Sequence, residues 1–355
     1  MSKTCHIVIA APGKGIGKGG IVRQMQYLME ESMHHDDAIT LHWLATHNNR
    51  RIWYFTFIGS LIRLLWLILR YRPQGLLLNM ASKGSFWRKA SLQIIARLAR
   101  LPVTIYLHGG GFEAFYATNP LWIQQQITSS FCHARNIIVL GTKSANFAQS
   151  LGVKRDNIHI MRNAVPHPLM QRVSHLPLTQ FLYVGHLLPR KGLEELLKAM
   201  TQLPYDQWQL TIAGSGNDTH YQQLAASLGL TEHVNFTGWI EHAELQAHYS
   251  QADCLILPSY IENQPLCVLE AMSHKLAIIT TSVGTLPEIC TDQQDALLIA
   301  PGDADAIANA CLTIIEDKSL RTHLGNAAHQ TYCAHHTMPY YYDSLMHIMT
   351  QHIAR

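Results

Sequence analysis

Ten short apolar runs, each closed by a turn signal and separated from the next by a helical stretch, constrain this chain more than any other feature. In the first half they are HIVIA, AITLHWL, GLLLNM, VTIYLHG and NIIVLG; in the second, FLYVG, QLTIAG, VNFTG, CLILPS and AIITTS. Strands buried on both faces read as continuous apolar runs, and helices between them are the crossovers a parallel sheet requires. Two such sets predict two doubly wound α/β domains. The 355 residues, 48% apolar and 14% charged, supply a core for each. The stretch 162–180, with three prolines and little periodicity, reads as the connection. The expected division is 1–170, a linker at 171–180, a second domain at 181–338 and a closing helix at 339–355.

Seven cysteines form no C-x-x-C pair, which suggests a reducing compartment, and 22 histidines include no H-E-x-x-H. The first apolar run is too short for a secretory signal, so none is expected. Net charge is only +3, yet no acid lies between Asp37 and Glu113. That span carries Arg50, Arg51, Arg63, Arg70, Arg72, Lys83, Arg88, Lys89, Arg97 and Arg100. Such a field attracts anions: lipid head groups, phosphorylated acceptors or nucleic acid. Residues 57–69, FIGSLIRLLWLIL, are the most apolar segment. Thirteen residues fall short of the roughly 20 a bilayer crossing needs. A buried helix is expected here, with a helix lying in a membrane surface as the alternative. On a helix over 86–101, Lys89, Gln93, Arg97 and Arg100 share one face and Leu92, Ile94, Ile95 and Leu98 the other. Lys89, Arg97 and Arg100 are therefore the expected surface for an anionic membrane or acceptor.

The opening loop, APGKGIGKGG, follows a strand, precedes a helix and fits G-x-G-x-x-G through Gly15, Gly17 and Gly20. A dinucleotide site also needs an acid at the end of the second strand. Asp36 and Asp37 come before that strand, and Gly13 to Lys18 misses the Walker spacing. The loop suits a phosphate without being a signature for NAD or ATP. LHGGGF (107–112) has the His-Gly-Gly-Gly of esterase oxyanion loops, but the chain contains no G-x-S-x-G elbow. What remains is His108 at a strand's carboxyl end, where open α/β sheets bind ligands.

In YVGHLLPRKGLEELLKAM (183–200), Arg190 and Lys191 sit at a loop-to-helix junction, a place for a diphosphate. TIAGSGND (211–218) ends a strand in Gly214-Ser215-Gly216. CLILPSYIENQPLCVLEAMS (254–273) puts Glu262 in a loop, Pro265 near a helix start and Glu270 on that helix. Glu262 can reach a sugar, and Glu270 can accept from a ribose diol.

With FTGWI and TTSVGTLPEI in the same order and spacing, these motifs make the second half resemble the donor-binding domain of the family 4 glycosyltransferases. These are retaining enzymes of the GT-B fold. GGIVRQMQYL, TIYLHGGG and RNAVP extend the resemblance more loosely over nearly the whole chain. It implies two Rossmann-like domains facing a central cleft, with the closing helix returning to the first. It implies that Arg190 and Lys191 hold the donor diphosphate, Glu270 the ribose, and Glu262 with Asn263, Gln264, Pro265 and Leu266 the sugar. Gly214, Gly238 and Trp239 would lie near the base, Gly19 and Gly20 near the diphosphate, and His108 near the reacting sugar. The implied activity is metal-independent hexosyl transfer from a nucleotide sugar, UDP slightly favoured over GDP, to a lipid-linked or lipopolysaccharide-type glycan. The expected place is cytoplasmic, peripheral at an anionic membrane face, with no nucleic-acid partner. A sugar-nucleotide epimerase or phosphorylase of the same fold, or a non-catalytic anion-binding module, are the alternatives. His186 and Thr285 stand where the family often has Arg and Gly, and Asp303-Ala-Asp305 is expected to cap a helix.

Overall fold

The computed structural model describes residues 4–13, 19–35, 38–47, 53–170 and 177–351. The chain divides into two compact units, Met1–Ala164 with Met338–Arg355 and Val165–Thr337. The boundary at 164/165 lies inside the proline-rich stretch 162–180, ahead of the 171–180 linker. Residues 171–176 fall outside the described residues, and Thr179 already opens a strand.

The first unit is built on six parallel strands: β1 (Cys5–Ala11), β2 (Ile39–Ala45), β3 (Gly75–Met80), β4 (Val103–Leu107), β5 (Asn136–Val139) and β6 (Ile158–Ile160). They lie in the order β2-β1-β3-β4-β5-β6. Six helices connect or flank them: α1 (Gly20–Glu31), α2 (Trp53–Tyr71), α3 (Gly84–Leu98), α4 (Phe112–Ala117), α5 (Leu121–His133) and α6 (Thr142–Ser150). The central strands are apolar throughout because both faces are covered, so Leu76, Leu77 and Leu78 are all buried.

The second unit repeats the plan with β7 (Thr179–Val184), β8 (Trp208–Ala213), β9 (Val234–Gly238), β10 (Cys254–Leu257), β11 (Ala277–Thr281) and β12 (Leu297–Ile299). Their order is β12-β11-β10-β7-β8-β9, again all parallel. Its helices are α7 (Leu193–Met200), α8 (Asp218–Ser227), α9 (His242–Gln251), α10 (Leu266–Ser273), α11 (Leu286–Ile289), α12 (Ala304–Glu316) and α13 (Lys318–His335). The closing helix α14 (Met338–Thr350) belongs to the first unit, where it packs on α1 and its Ile348 carbonyl accepts from Asn136 Nδ2 at 3.3 Å. The ten apolar runs correspond to ten of these strands. The two without a run, β6 and β12, are sheet edges of three residues each, too short to leave a pattern.

Two expectations about the first unit's surface are corrected. Residues 57–69 belong to the 19-residue α2, and only one side of that helix is buried. Ser60, Leu64 and Leu67 pack inward while Phe55, Ile58, Ile62, Leu65, Trp66 and Leu69 are exposed. In α3 the expected faces hold in part: Leu92 is buried and Arg97 and Arg100 are exposed, but two residues of each face are misplaced. Lys89 is 1% exposed and Gln93 is buried, whereas Ile94 and Leu98 face solvent. Lys89 Nζ donates to Thr46 Oγ1 at 3.1 Å and Ser85 Oγ at 3.3 Å. Gln93 Nε2 donates to the Ser130 carbonyl at 2.8 Å. Polar groups with partners can be buried, so hydropathy misassigned these two. Arg97 and Arg100 are exposed, but Lys89 is removed from the expected surface set.

Candidate nucleotide-sugar site

In an open parallel sheet the ligand crevice forms where the strand order reverses. In the second unit that point lies between β7 and β10, and the loops leaving their carboxyl ends are 185–192 and 258–265. Two features pin the loops together. Tyr260 N–H donates to the Arg190 carbonyl at 2.9 Å. Gly192, at φ 68°, lies so close that a Cβ would stand 2.0 Å from the Pro258 carbonyl oxygen. Only glycine fits there.

This docking brings the sequence-predicted charges together. Lys191 and Glu262 form an ion pair with side chains only 11% and 9% exposed. Ser259 Oγ donates to the same carboxylate oxygen at 2.9 Å, and Thr281 Oγ1 holds the Ser259 carbonyl at 2.6 Å. Arg190 is exposed at the rim, with Nη1 3.5 Å from the Ile261 carbonyl oxygen. Gly284 (φ 62°) admits the 262–263 backbone, since a Cβ would meet the Glu262 carbonyl oxygen at 2.2 Å. Thr285 then donates to the Asn263 carbonyl from both N–H (3.0 Å) and Oγ1 (2.7 Å). The departure at 285 thus fastens the loop through its hydroxyl.

Asn263, Gln264 and Pro265 lead into α10, with Pro265 as its cap residue and Leu266 the first helical position. Unpaired N–H groups at a helix start favour anions. Glu270 lies on the same helix, buried, with Oε2 accepting from Tyr249 OH at 2.7 Å. Tyr249 stacks on His274 at 5.2 Å between ring centroids. The half-buried Cys267 thiol is pushed up to about 12 by desolvation, and it feels Lys191, Glu262 and Glu270 together. Burial raises the Tyr183 phenol as well, with Glu262 and Arg190 both acting on it. Four charged residues separated by up to 80 positions therefore occupy one site.

At the ends of β8 and β9, Gly214 N–H donates to the Gly238 carbonyl at 2.9 Å. A Cβ on Gly214 would lie 1.8 Å from the Gly185 carbonyl oxygen, so this glycine joins two rim loops rather than opening space. Trp239, 40% exposed, stacks against His186 with centroids 6.0 Å apart. Sequence reading treated His186 only as a departure; its pairing with Trp239 went unpredicted.

In the first unit the order reverses between β1 and β3. Gly15 and Gly17 lie outside the described residues. Gly19 caps α1 with extended backbone (φ −169°), and a Cβ there would meet nothing within 4 Å. Gly20 is the first residue of the helix. His108 is buried with Nε2 2.7 Å from Asn79 Oδ1 and its ring 4.0 Å from that of Tyr106. Burial and the Lys89 charge lower its pKa to about 3, so the imidazole is neutral at physiological pH. Burial, Arg88 and Lys89 bring His47 to about 4. Burial, then Arg88, brings Lys89 itself to about 7. The grouping of His47, Arg88, Lys89 and His108 is not visible in the sequence beyond the i, i+3 spacing of Phe86, Lys89 and Leu92 on the inner face of α3.

Asp303 Oδ1 caps α12 by accepting from Ala306 N–H at 2.9 Å, and Asp305 Oδ1 accepts from Gln202 Nε2 at 2.9 Å. Among the described residues no three His, Cys, Asp or Glu side chains are grouped to hold a metal.

Two six-stranded parallel sheets of Rossmann type in one chain define the GT-B architecture. The sucrose-phosphate synthase of Thermosynechococcus elongatus matches 99% of this chain and 99% of its own at TM-score 0.82 and 20% identity. Anabaena Alr3699/HepE, solved in complex with UDP and glucose, matches 98% of this chain and 100% of its own at TM-score 0.76 and 14% identity. At such identities the likeness is one of fold. Residues 174–331 match the family described as Glycosyl transferases group 1. A relative named Uncharacterized glycosyltransferase MJ1607, from Methanocaldococcus jannaschii, is 33% identical over 149 residues, 41% of this chain and 38% of its own length. The chain thus spans about two fifths of that relative's length.

Proposed function

We propose that this protein is a retaining glycosyltransferase that moves a hexose from a nucleoside diphosphate sugar to a hydroxyl of a lipid-linked or lipopolysaccharide-type glycan. One observation carries the reading: Lys191, Glu262, Arg190 and Glu270 converge where the second sheet's strand order reverses. The donor's diphosphate gains charge as the glycosidic bond breaks. Cations and a helix start fixed in advance stabilise that charge without reorganising during the reaction. Lys191 and Arg190 supply the cations, and α10 supplies the N–H groups. Held by Ser259 and Lys191, Glu262 presents its carboxylate oxygens to the sugar's hydroxyls. Glu270, oriented by Tyr249, takes the ribose diol, and Trp239 with His186 forms a platform beside the base. UDP is favoured over GDP, with support from the fold neighbour that holds UDP and glucose. No metal is needed for this arrangement.

A titration of the full chain with UDP, GDP, ADP and NAD, with and without magnesium, followed by thermal melting, tests the reading. A rise in melting temperature with one nucleoside diphosphate, unchanged by chelator, is expected. A rise with NAD alone returns the opening loop to a dinucleotide site and overturns the proposal. Hydrolysis or transfer assays with the nucleotide sugar then separate the alternatives, since an epimerase acts without an acceptor alcohol and a phosphorylase requires phosphate.

A further inference from the structure

Helix α2 has two apolar faces, and the fold uses one. Ser60, Leu64 and Leu67 are buried against the rest of the first unit, where α2 packs on β2 and α3. Phe55, Ile58, Ile62, Leu65, Trp66 and Leu69 recur at three- and four-residue spacing, which places them on one outward stripe. They are not marginally exposed: Ile62 is 64% and Leu69 81% accessible. The neighbouring α3 adds Trp87, Ile94 and Leu98 to the apolar surface. Trp122, exposed at the start of α5, meets Trp87 with ring centroids 6.0 Å apart. A soluble monomer seldom exposes apolar side chains in such an ordered array unless something covers them.

The charges say what covers them. Arg63 and Arg70 flank the α2 stripe, Arg97 and Arg100 close α3, all four are exposed, and no carboxylate occurs from 38 to 112. Counted over the whole first unit, 20 Lys and Arg face 7 Asp and Glu, a formal +13. A second copy seated on this patch would set those arginines against their own mates with no acid between. A bilayer bearing anionic lipid offers the complementary charge, and the indoles and arginine stems suit its interface.

We infer that the outer faces of α2 and α3, with the first turn of α5, form a monotopic docking surface for an anionic lipid bilayer. The described segment Tyr54–Tyr71 is long and apolar enough to cross a membrane by length and composition. Crossing would strip Leu64 and Leu67 from the core, so α2 lies in the plane of the interface with its outer stripe among the acyl chains. This surface lies wholly in the first unit and is independent of the donor reading.

The test uses the full chain and vesicles of phosphatidylcholine with or without phosphatidylglycerol. Parent protein should sediment with the anionic vesicles and lose binding as salt rises. Ile62→Asp with Leu69→Asp should cut the partition coefficient at least about tenfold. Arg63→Gln with Arg70→Gln should weaken binding less and flatten the salt dependence. All these positions are exposed, and a melting curve matching the parent, with the same nucleotide response, shows that the variants fold. Failure of the parent to bind either vesicle overturns the inference, as does equal sedimentation of the Ile62/Leu69 double variant. A parent that is dimeric without lipid, and a double variant that is monomeric, would assign the patch to a second copy instead. Lost nucleotide response with intact vesicle binding would count against the donor reading alone.

Discussion

The two units share a plan of six parallel strands but divide the chain's chemistry unequally. The first carries a formal +13; the second, with 7 Lys and Arg against 17 Asp and Glu, carries −10. Together they give the unremarkable +3 of the whole chain, which conceals both. The second unit encloses a few fixed cations, Lys191 above all, among its acids and shapes them into a site by loop-to-loop contact. In the first unit the positive charge is spread over its surface and bordered with apolar side chains. Under the two proposals, one unit serves a small anion at a defined point and the other an extended anionic plane. The same sheet serves both because function resides in the loops and outer helix faces, which the core does not dictate.

The contrast can be broken at its strongest point. Lys191→Gln should lower kcat about 10²–10³-fold, by analogy with losing a preorganised donor to a developing anion. Because it also strands Glu262 in a nearly buried place, the melting curve must be recorded beside the kinetics. Near-parental turnover would remove Lys191 from the chemistry. Next in size is the loss of vesicle binding, at least about tenfold, expected of the Ile62/Leu69 variant with turnover on a soluble acceptor unchanged. A matching loss of turnover on that soluble acceptor would show that the two units are not chemically separable. Glu270→Gln should weaken nucleoside diphosphate affinity by roughly tenfold, the scale of one charge-assisted hydrogen bond. Calorimetry reads this directly, and unchanged affinity refutes the ribose role.

The smallest effect concerns the buried Lys89. Burial brings its pKa from the ordinary 10.5 to about 7. Between those values the unfolded chain holds a proton that the folded chain has released, so this group makes stability rise with pH across that window. Below about pH 7 both states are charged and the full desolvation cost remains. Lys89→Met should therefore raise the melting temperature by a few degrees at pH 6 and by progressively less toward pH 10. A gain that is the same at both pH values would mean that packing, not charge, limits stability there.

Much of this protein was legible before folding was considered. Short apolar runs closed by turn signals and alternating with helical stretches read as strands covered on both faces, so HIVIA, GLLLNM and CLILPS pointed to a parallel sheet. Arg190, Lys191, Glu262 and Glu270 were legible because their residue types, at a loop-to-helix junction and a helix start, have little structural use of their own. Lys89 and α2 were not legible, for a shared reason. Hydropathy ranks side chains by their free energy in isolation, whereas burial depends on what the neighbours offer. Thr46 and Ser85 offered Lys89 hydrogen bonds and so admitted an ammonium to the interior. The core offered α2 room for one apolar face and left the other outside.

By itself, then, the sequence determined the alternation of strands and helices, the two doubly wound units and the cations of the proposed donor site. These follow from local patterns: apolar periodicity, glycine and proline punctuation, and charge placed beside helix starts. Only the tertiary structure decided that Lys191 meets Glu262 across 71 positions, that Trp239 stacks on His186, and which side of α2 and α3 faces water. Each of those is a relation between segments remote in sequence, fixed when the sheet orders its strands and the loops close on one another.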